Sequence, residues 1–315
     1  MSANPSNLAS SADHLKQLIR EVPDFPKPGI NFYDTARSYG YGACEGLLGE
    51  FFTGRKRGSV VLCTKFGILA ANPTGWKQRA KPLARAAVKL FPALRGVAKS
   101  QASDQFVRCQ FSVEILRASL EKSLRELKTD YVDVLLMHAA PLSVLQQDDL
   151  LEELGRLEQA GKVRMAGISG DENVMRAVFE KRPAVLRAAQ FALNIFNMGL
   201  TAETAKVGGG MFLAANHPFG GVEGVSRCKE LIAKMRGSAT LAEGVRQKLD
   251  LADERLLPEV VLNSILSGTG VSLVIPAMMQ TKHLQSNIQA VENCRFSAEE
   301  LGMIRGALLH EGMSL

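Results

Sequence analysis

Residues 112–169 read SVEILRASLEKSLRELKTDYVDVLLMHAAPLSVLQQDDLLEELGRLEQAGKVRMAGIS, and this stretch decides the fold. Within it Val113, Leu116, Leu120, Leu124 and Leu127 recur three or four apart, which predicts one amphipathic helix over Ser112 to Leu127. A short apolar run, Tyr131 to His138, follows. A second helix carries Leu150, Leu151, Leu154 and Leu157 and stops at Gly161, and a further strand runs from Val163 to Ser169. Apolar runs without polar alternation mark strands covered on both faces, and intervening helices make them parallel.

The same alternation extends outward in both directions. Strands are read at Ile30 to Thr35, Ser59 to Phe66, Leu186 to Leu193, Met211 to Ala215 and Val271 to Ile275, which with the two above makes seven. Nothing rich in Pro, Gly or Ser interrupts the series, and a strand-helix repeat of about 25 to 40 residues suits a (β/α)8 barrel of the TIM type. The expected organisation is a barrel domain over 31–315 preceded by an atypical segment, 1–30. Before Ile30 a helix around Ser11 to Val22 is readable but no strand, so the first strand-helix unit is expected to be incomplete or atypical.

Composition narrows the class. A chain of 315 residues, 46% hydrophobic and 22% charged, can bury a large core and is too evenly composed to be disordered or collagen-like. The net charge of +6 suits an anionic small molecule as readily as nucleic acid. Cys44, Cys63, Cys109, Cys228 and Cys294 are odd in number and never form a Cys-x-x-Cys pair, so neither a disulfide framework nor a zinc site is expected, and a reducing cytoplasm fits. No signal peptide and no apolar run long enough to span a membrane is readable, so the chain is expected to be neither secreted nor membrane-spanning. Residues 72–103 hold seven basic residues, from Lys77 to Lys99, and no acidic one. They are read as a solvated insertion after a barrel strand, with an anion-binding or membrane-touching arm or a pocket roof begun by Trp76 as alternatives. No nucleic-acid fold signature accompanies them.

Ionisable residues end three successive predicted strands: Asp34, Lys65 and His138. In a parallel barrel those ends share one face, where the loops build the active site. Tyr39 follows Asp34 in the same loop. Together the four form a proton-transfer device. A tyrosine of pKa about 10 is a poor donor at neutral pH, and a nearby ammonium stabilises the phenolate. A carboxylate would hold that ammonium, and a histidine could orient a carbonyl. No spacing of His, Cys or carboxylates requires a metal. Gly40-Tyr41-Gly42 lacks the third glycine of a dinucleotide fingerprint, and Gly208-Gly209-Gly210 reads as a turn before a strand rather than a phosphate cradle.

These residues also carry a family resemblance. Asp34-Thr35-Ala36-Arg37-Ser38-Tyr39-Gly40 with Glu45 and Leu47-Leu48-Gly49 resembles the signature of the aldo/keto reductases. So, in order, do Thr64-Lys65-Phe66-Gly67, Ser123-Leu124-Arg125-Glu126-Leu127, Asp130-Tyr131-Val132-Asp133, Met137-His138, Gly161-Lys162-Val163-Arg164, Gly167-Ile168-Ser169 and Gln190. The resemblance covers roughly residues 29–310. It implies a barrel that passes hydride between a nicotinamide cofactor and an aldehyde, ketone or sugar carbonyl. In that pattern Tyr39 is the general acid, Lys65 and Asp34 its tuning pair, and His138 the carbonyl-orienting group. Ser169, Gln190, His217, Pro276, His283 and Asn287 fall at cofactor-binding positions, with NADP the expected cofactor and NAD the alternative.

Departures fall on the cofactor side. Gly170 stands where an asparagine usually grips the nicotinamide carboxamide, and Asn216 stands where an aromatic residue often stacks on the ring. Ala277, Met278 and His283 occupy positions that in NADP-preferring members bind the 2′-phosphate, leaving Lys282 and His283 as the local positive charge. The alternative reading is therefore an inert barrel that acts as a binding or regulatory protein. Residues 15–30, LKQLIREVPDFPKPGI, resemble the opening segment of adenine phosphoribosyltransferases. No downstream strand ends in paired acidic residues and a phosphate loop, so transferase chemistry is not expected.

Overall fold

The computed structural model describes residues 31–53, 57–70, 106–107, 111–221, 223–277 and 280–312. The predicted N-terminal helix, the segment resembling phosphoribosyltransferases, the basic stretch 72–103 and Met278 lie outside the described residues. The chain forms two compact units, residues 1–168 and 169–315.

The first unit contains four parallel strands, β1 (Asn31–Asp34), β2 (Val60–Phe66), β5 (Val132–Met137) and β6 (Val163–Ser169), paired in that order. The last residue of β6, Ser169, opens the second unit. Between β2 and β5, an antiparallel ribbon of β3 (Leu69–Ala70) and β4 (Phe106–Val107) begins and ends the basic stretch. Every residue of β5 is buried, as a strand covered on both faces requires. Its one charge, Asp133, accepts from Arg57 at 2.7 Å, from Arg164 at 2.9 Å and from the Leu62 N–H at 2.9 Å, while both guanidinium groups lie about 4 Å from the Tyr131 ring.

Two helices of this unit, α1 (Cys44–Phe52) and α2 (Val113–Leu127), pack against each other. The predicted stripe of α2 is borne out, with Leu116, Leu120, Leu124 and Leu127 buried. The Ser112 side chain caps it by accepting from Ile115 N–H at 3.3 Å, and Lys128 ends it in the left-handed conformation at φ 52°. Gly49 lets the two helices touch: a Cβ there would lie 2.0 Å from the Glu126 carbonyl oxygen. The third helix, α3 (Asp148–Gln159), is joined to α2 by Arg117, which donates to both carboxylate oxygens of the buried Glu153 at 2.7 Å.

The second unit contains three more parallel strands, β7 (Ala188–Ala192), β8 (Phe212–Asn216) and β9 (Leu273–Ile275), again adjacent in that order. Helix α4 (Glu172–Lys181) precedes them, N-capped by Asp171, which accepts from Val174 N–H at 3.0 Å. Phe191 of β7 packs edge-on against Phe179 of α4 at 5.9 Å, so that face of the sheet is the helix-covered one. The triple glycine is a turn before β8, as predicted, with Gly209 at φ +89°. Six further helices lie among the described residues of the unit: α5 (Thr201–Val207), α6 (Gly224–Gly237), α7 (Glu243–Lys248), α8 (Leu256–Leu266), α9 (Thr281–Glu292) and α10 (Ala298–Gly312). Helix α8 is buried nearly all round, and its Asn263 amide donates to the Glu259 and Ala290 carbonyls, both at 2.8 Å.

Candidate active site

β1 and β2 pair so that Asp34 stands beside Cys63, and β2 and β5 pair so that Lys65 stands beside Leu136. Asp34 closes β1, Lys65 lies one residue short of the end of β2, and His138 follows β5 with its backbone N–H donating to the Phe66 carbonyl at 2.7 Å. The sheet register thus gathers the predicted quartet at one edge of the first unit. Within β2 the two-residue side-chain period sends Lys65 to one face and Thr64 to the other.

Lys65 is wholly buried, at 0% side-chain exposure, and its ammonium is fully engaged. Nζ donates to both oxygens of Asp34 at 2.7 Å, to the Thr35 carbonyl at 3.0 Å and to the Tyr39 hydroxyl at 3.3 Å. It also lies 4.8 Å from the centroid of the Tyr39 ring. Burial favours the neutral amine, yet the Asp34 carboxylate overrides it, so the Lys65 pKa stands above its ordinary value. Tyr39 meets the His138 ring edge-on at 5.7 Å and is 37% exposed.

Opposed influences set the acidity of Tyr39. Burial raises its pKa, Lys65 lowers it and Asp34 raises it again, and the net direction is upward. The simple expectation that a neighbouring ammonium brings the phenol below its usual range is therefore not met, because desolvation of the ring outweighs one cation already neutralised by Asp34. Cys63, beneath Asp34, is held well above the usual thiol range by burial and by that carboxylate, so it stays protonated.

A second layer, not singled out from the sequence as functional, fixes the loop between Asp34 and Tyr39. Arg37 is 5% exposed and donates to Glu45, which is 1% exposed, and to Glu126 at 3.1 Å. The other Glu45 oxygen accepts from the Thr64 hydroxyl at 2.6 Å. Arg37 and Thr64 flank Tyr39 and Lys65 in the chain, so a buried ion pair joins the loop carrying the phenol to the strand carrying the ammonium. The sequence signal was the placement of Arg37 and Glu45 around an apolar loop.

The predicted cofactor residues lie in the second unit. Ser169 and Gln190 are buried, at the end of β6 and within β7. His217 follows β8, exposed and in the left-handed region at φ 52°. Pro276 follows β9 and is partly exposed, as is Asn287 in α9, while His283 in α9 is exposed. Two residues not chosen from the sequence for cofactor contact stand among them: the Oδ1 atoms of Asn194 and Asn216 are buried and accept no hydrogen bond among the described residues. Among the described residues no group of His, Cys, Asp or Glu could hold a metal ion, and no helix is long and apolar enough to cross a membrane.

Comparison with known proteins gives one consistent answer. The model of the aldo/keto reductase family matches residues 6–308, beginning upstream of the region where the resemblance is readable by eye. Methylglyoxal reductase DkgB of Escherichia coli O157:H7 is 27% identical over 195 residues, 60% of this chain and 65% of that protein. The uncharacterized oxidoreductase YqkF of Bacillus subtilis is 23% identical over 87% of this chain and 81% of its own. Other curated relatives are matched over about a third to a half of their length, as with norsolorinic acid reductase B of Aspergillus parasiticus, 30% identical over 49% of this chain and 34% of that protein. Among solved structures, the holo form of aldo-keto reductase AKR11C1 from Bacillus halodurans superimposes with a TM-score of 0.64 at 20% identity, covering 98% of this chain and 89% of that one. The thermostable aldo-keto reductase Tm1743 gives 0.55 at 21% identity, over 87% of this chain and 81% of that one. These likenesses show the fold to be the expected (β/α)8 barrel of the TIM type, and the chain belongs to the aldo/keto reductase family.

Proposed function

We propose that the chain is an NAD(P)-dependent oxidoreductase acting on a small aldehyde, ketone or sugar carbonyl, with Tyr39 as its general acid. The observation that carries this reading is the Lys65 ammonium, salt-bridged to Asp34 and donating to the Tyr39 hydroxyl at 3.3 Å. Because the phenol oxygen accepts that bond, its own proton is left to be given to a substrate oxygen. Asp34 keeps Lys65 charged inside the protein, and Lys65 stabilises the phenolate left after donation. His138, beside the phenol, orients the carbonyl toward that proton.

A nicotinamide cofactor supplies or accepts the hydride. The second unit fits such a group: Ser169 and Gln190 are buried polar residues at strand positions, and the buried oxygens of Asn194 and Asn216 have no donor among the described residues. NADP is kept as the family's usual cofactor and NAD as the alternative, since Lys282 and His283 are the basic residues left where the resemblance puts a 2′-phosphate. The four described cysteines are free thiols, which supports a cytoplasmic setting.

Thermal-shift titration with NADPH and with NADH tests the cofactor, since a ligand at a hundred times its Kd stabilises by about 2.7 kcal/mol. Tyr39→Phe tests the acid. It is expected to lower kcat by about 10²- to 10⁴-fold while leaving nucleotide affinity unchanged. Unchanged turnover would remove Tyr39 from the mechanism, and a cooperative melt that neither nucleotide shifts would favour a binding or regulatory barrel instead.

A further inference from the structure

Within the second unit, α4 and α5 border a cleft of about 250 Å³, a size for a molecule smaller than a drug. Phe179 of α4 and Val207 of α5, both nearly buried, close its bottom. One wall is fixed. Arg176 donates through Nε and Nη2 to Glu172 at 3.2 and 2.7 Å, through Nη2 to the Gly199 carbonyl at 3.0 Å and through Nη1 to Glu203, so Arg176 and Glu203 cancel across the cleft. Helix α4 starts just after β6 and ends before β7 begins, so its C-terminal turn lies at the end of the unit where strands start, away from His217 and Pro276.

The other lining residues, Arg182, Lys206 and Glu180, are charged, exposed and uncommitted. Arg182 stands in the left-handed region at φ 45°, a backbone that favours glycine, and its Nε donates to the Phe179 carbonyl at 3.3 Å. That bond turns the guanidinium back over the last turn of α4, while its Nη atoms meet no acceptor among the described residues. Lys206, in the last turn of α5, and Glu180 likewise have no ion-pair partner among the described residues. Cations at helix C-termini complement the helix dipole, but that alone requires neither a shared cleft nor a tethered guanidinium. Two cations and one carboxylate are left to face the cleft, a balance that suits a monoanion. Glu180 repels a second acid group and accepts from hydroxyls, so the ligand must bring donors as well. We propose that this cleft binds a small hydroxylated organic anion of the hydroxy-acid or sugar-acid class, its carboxylate held by Arg182 and Lys206 and its hydroxyls by Glu180, at a site separate from the Tyr39 quartet.

Calorimetric titration of the whole chain with gluconate, hexanoate and glucitol tests this, because the three share one carbon-chain length and differ in charge and hydroxyls. The wild type is expected to bind gluconate at a single site with a Kd of about 1 mM, hexanoate about tenfold more weakly and glucitol not measurably. Arg182→Gln and Lys206→Gln are each expected to weaken gluconate about threefold to fivefold. Glu180→Gln is expected to strengthen hexanoate more than gluconate and so narrow the preference. Far-ultraviolet melts confirm that each variant folds. No binding of gluconate to the wild type overturns the proposal, and so does glucitol or hexanoate binding as tightly as gluconate. Gluconate affinity unchanged in both Arg182→Gln and Lys206→Gln also overturns it, since the anion then sits at the quartet or on another basic surface.

Discussion

Replacing Arg37 by methionine keeps the volume of the side chain and removes its charge. Glu45 then remains as a carboxylate at 1% exposure whose surviving partner named above is the Thr64 hydroxyl at 2.6 Å. Breaking a buried ion pair on one side costs about 3–5 kcal/mol, because the stranded charge keeps its desolvation penalty. The Thr64 bond places this case near the lower figure. At about 2–4 °C per kcal/mol in a domain of this general size, the melting temperature should fall by about 6 °C or more. The double variant Arg37→Met with Glu45→Leu removes the stranded charge and should regain most of the loss, short of about 1 kcal/mol for the Thr64 hydroxyl left without its acceptor. Calorimetric melts and urea titrations at neutral pH measure both. A single variant melting within a degree of the wild type, or a double variant no better than the single, would refute the argument that this pair is buried and mutually dependent.

Other consequences can be checked alongside. With the Tyr39 pKa raised by burial, the phenol stays protonated through neutral and mildly alkaline pH, so reductive turnover should be flat to about pH 10 and fall above it; a fall near pH 8 that disappears in Tyr39→Phe would contradict this. The folded-state pKa of Lys65 lies above its ordinary 10.5, so its contribution to stability is fully present below that pH and is lost as pH rises through the folded value. The stability gap between wild type and Lys65→Met should accordingly narrow only in strongly alkaline solution, and narrowing near neutrality would contradict it. Gly49→Ala places a methyl 2.0 Å from the Glu126 carbonyl, which neither helix can relieve without moving; a loss of about 1–3 kcal/mol is expected in a denaturant titration, and a neutral result would mean that α1 and α2 slide freely.

The elements most legible in the sequence were those whose burial is periodic. Helix α2 announced itself through Leu116, Leu120, Leu124 and Leu127, and β5 through an apolar run too short to be a helix. The quartet was legible because strand ends and motif order both marked Asp34, Lys65 and His138, with Tyr39 five residues beyond the first. Helix α8 was not read, since a segment buried on nearly every side has no stripe to find. The Arg37–Glu45–Thr64 layer was hidden for a different reason: its partners come from a loop, a helix and a strand, and only the β1–β2 register brings them together. Asn216 reads as a departure from a stacking position, and only the structure shows that its side-chain oxygen is buried with no donor among the described residues.

The full engagement of Lys65 bears on where each new proton comes from. An ammonium has three hydrogens, and here four oxygens already surround it: two of Asp34, one of Thr35 and one of Tyr39. With no side-chain exposure and no hydrogen to spare, Lys65 cannot hand protons inward from bulk water. In the proposed mechanism the phenol would then be recharged from its own side or by way of His138. Solvent isotope effects should then track the access of water to Tyr39 rather than any property of the lysine.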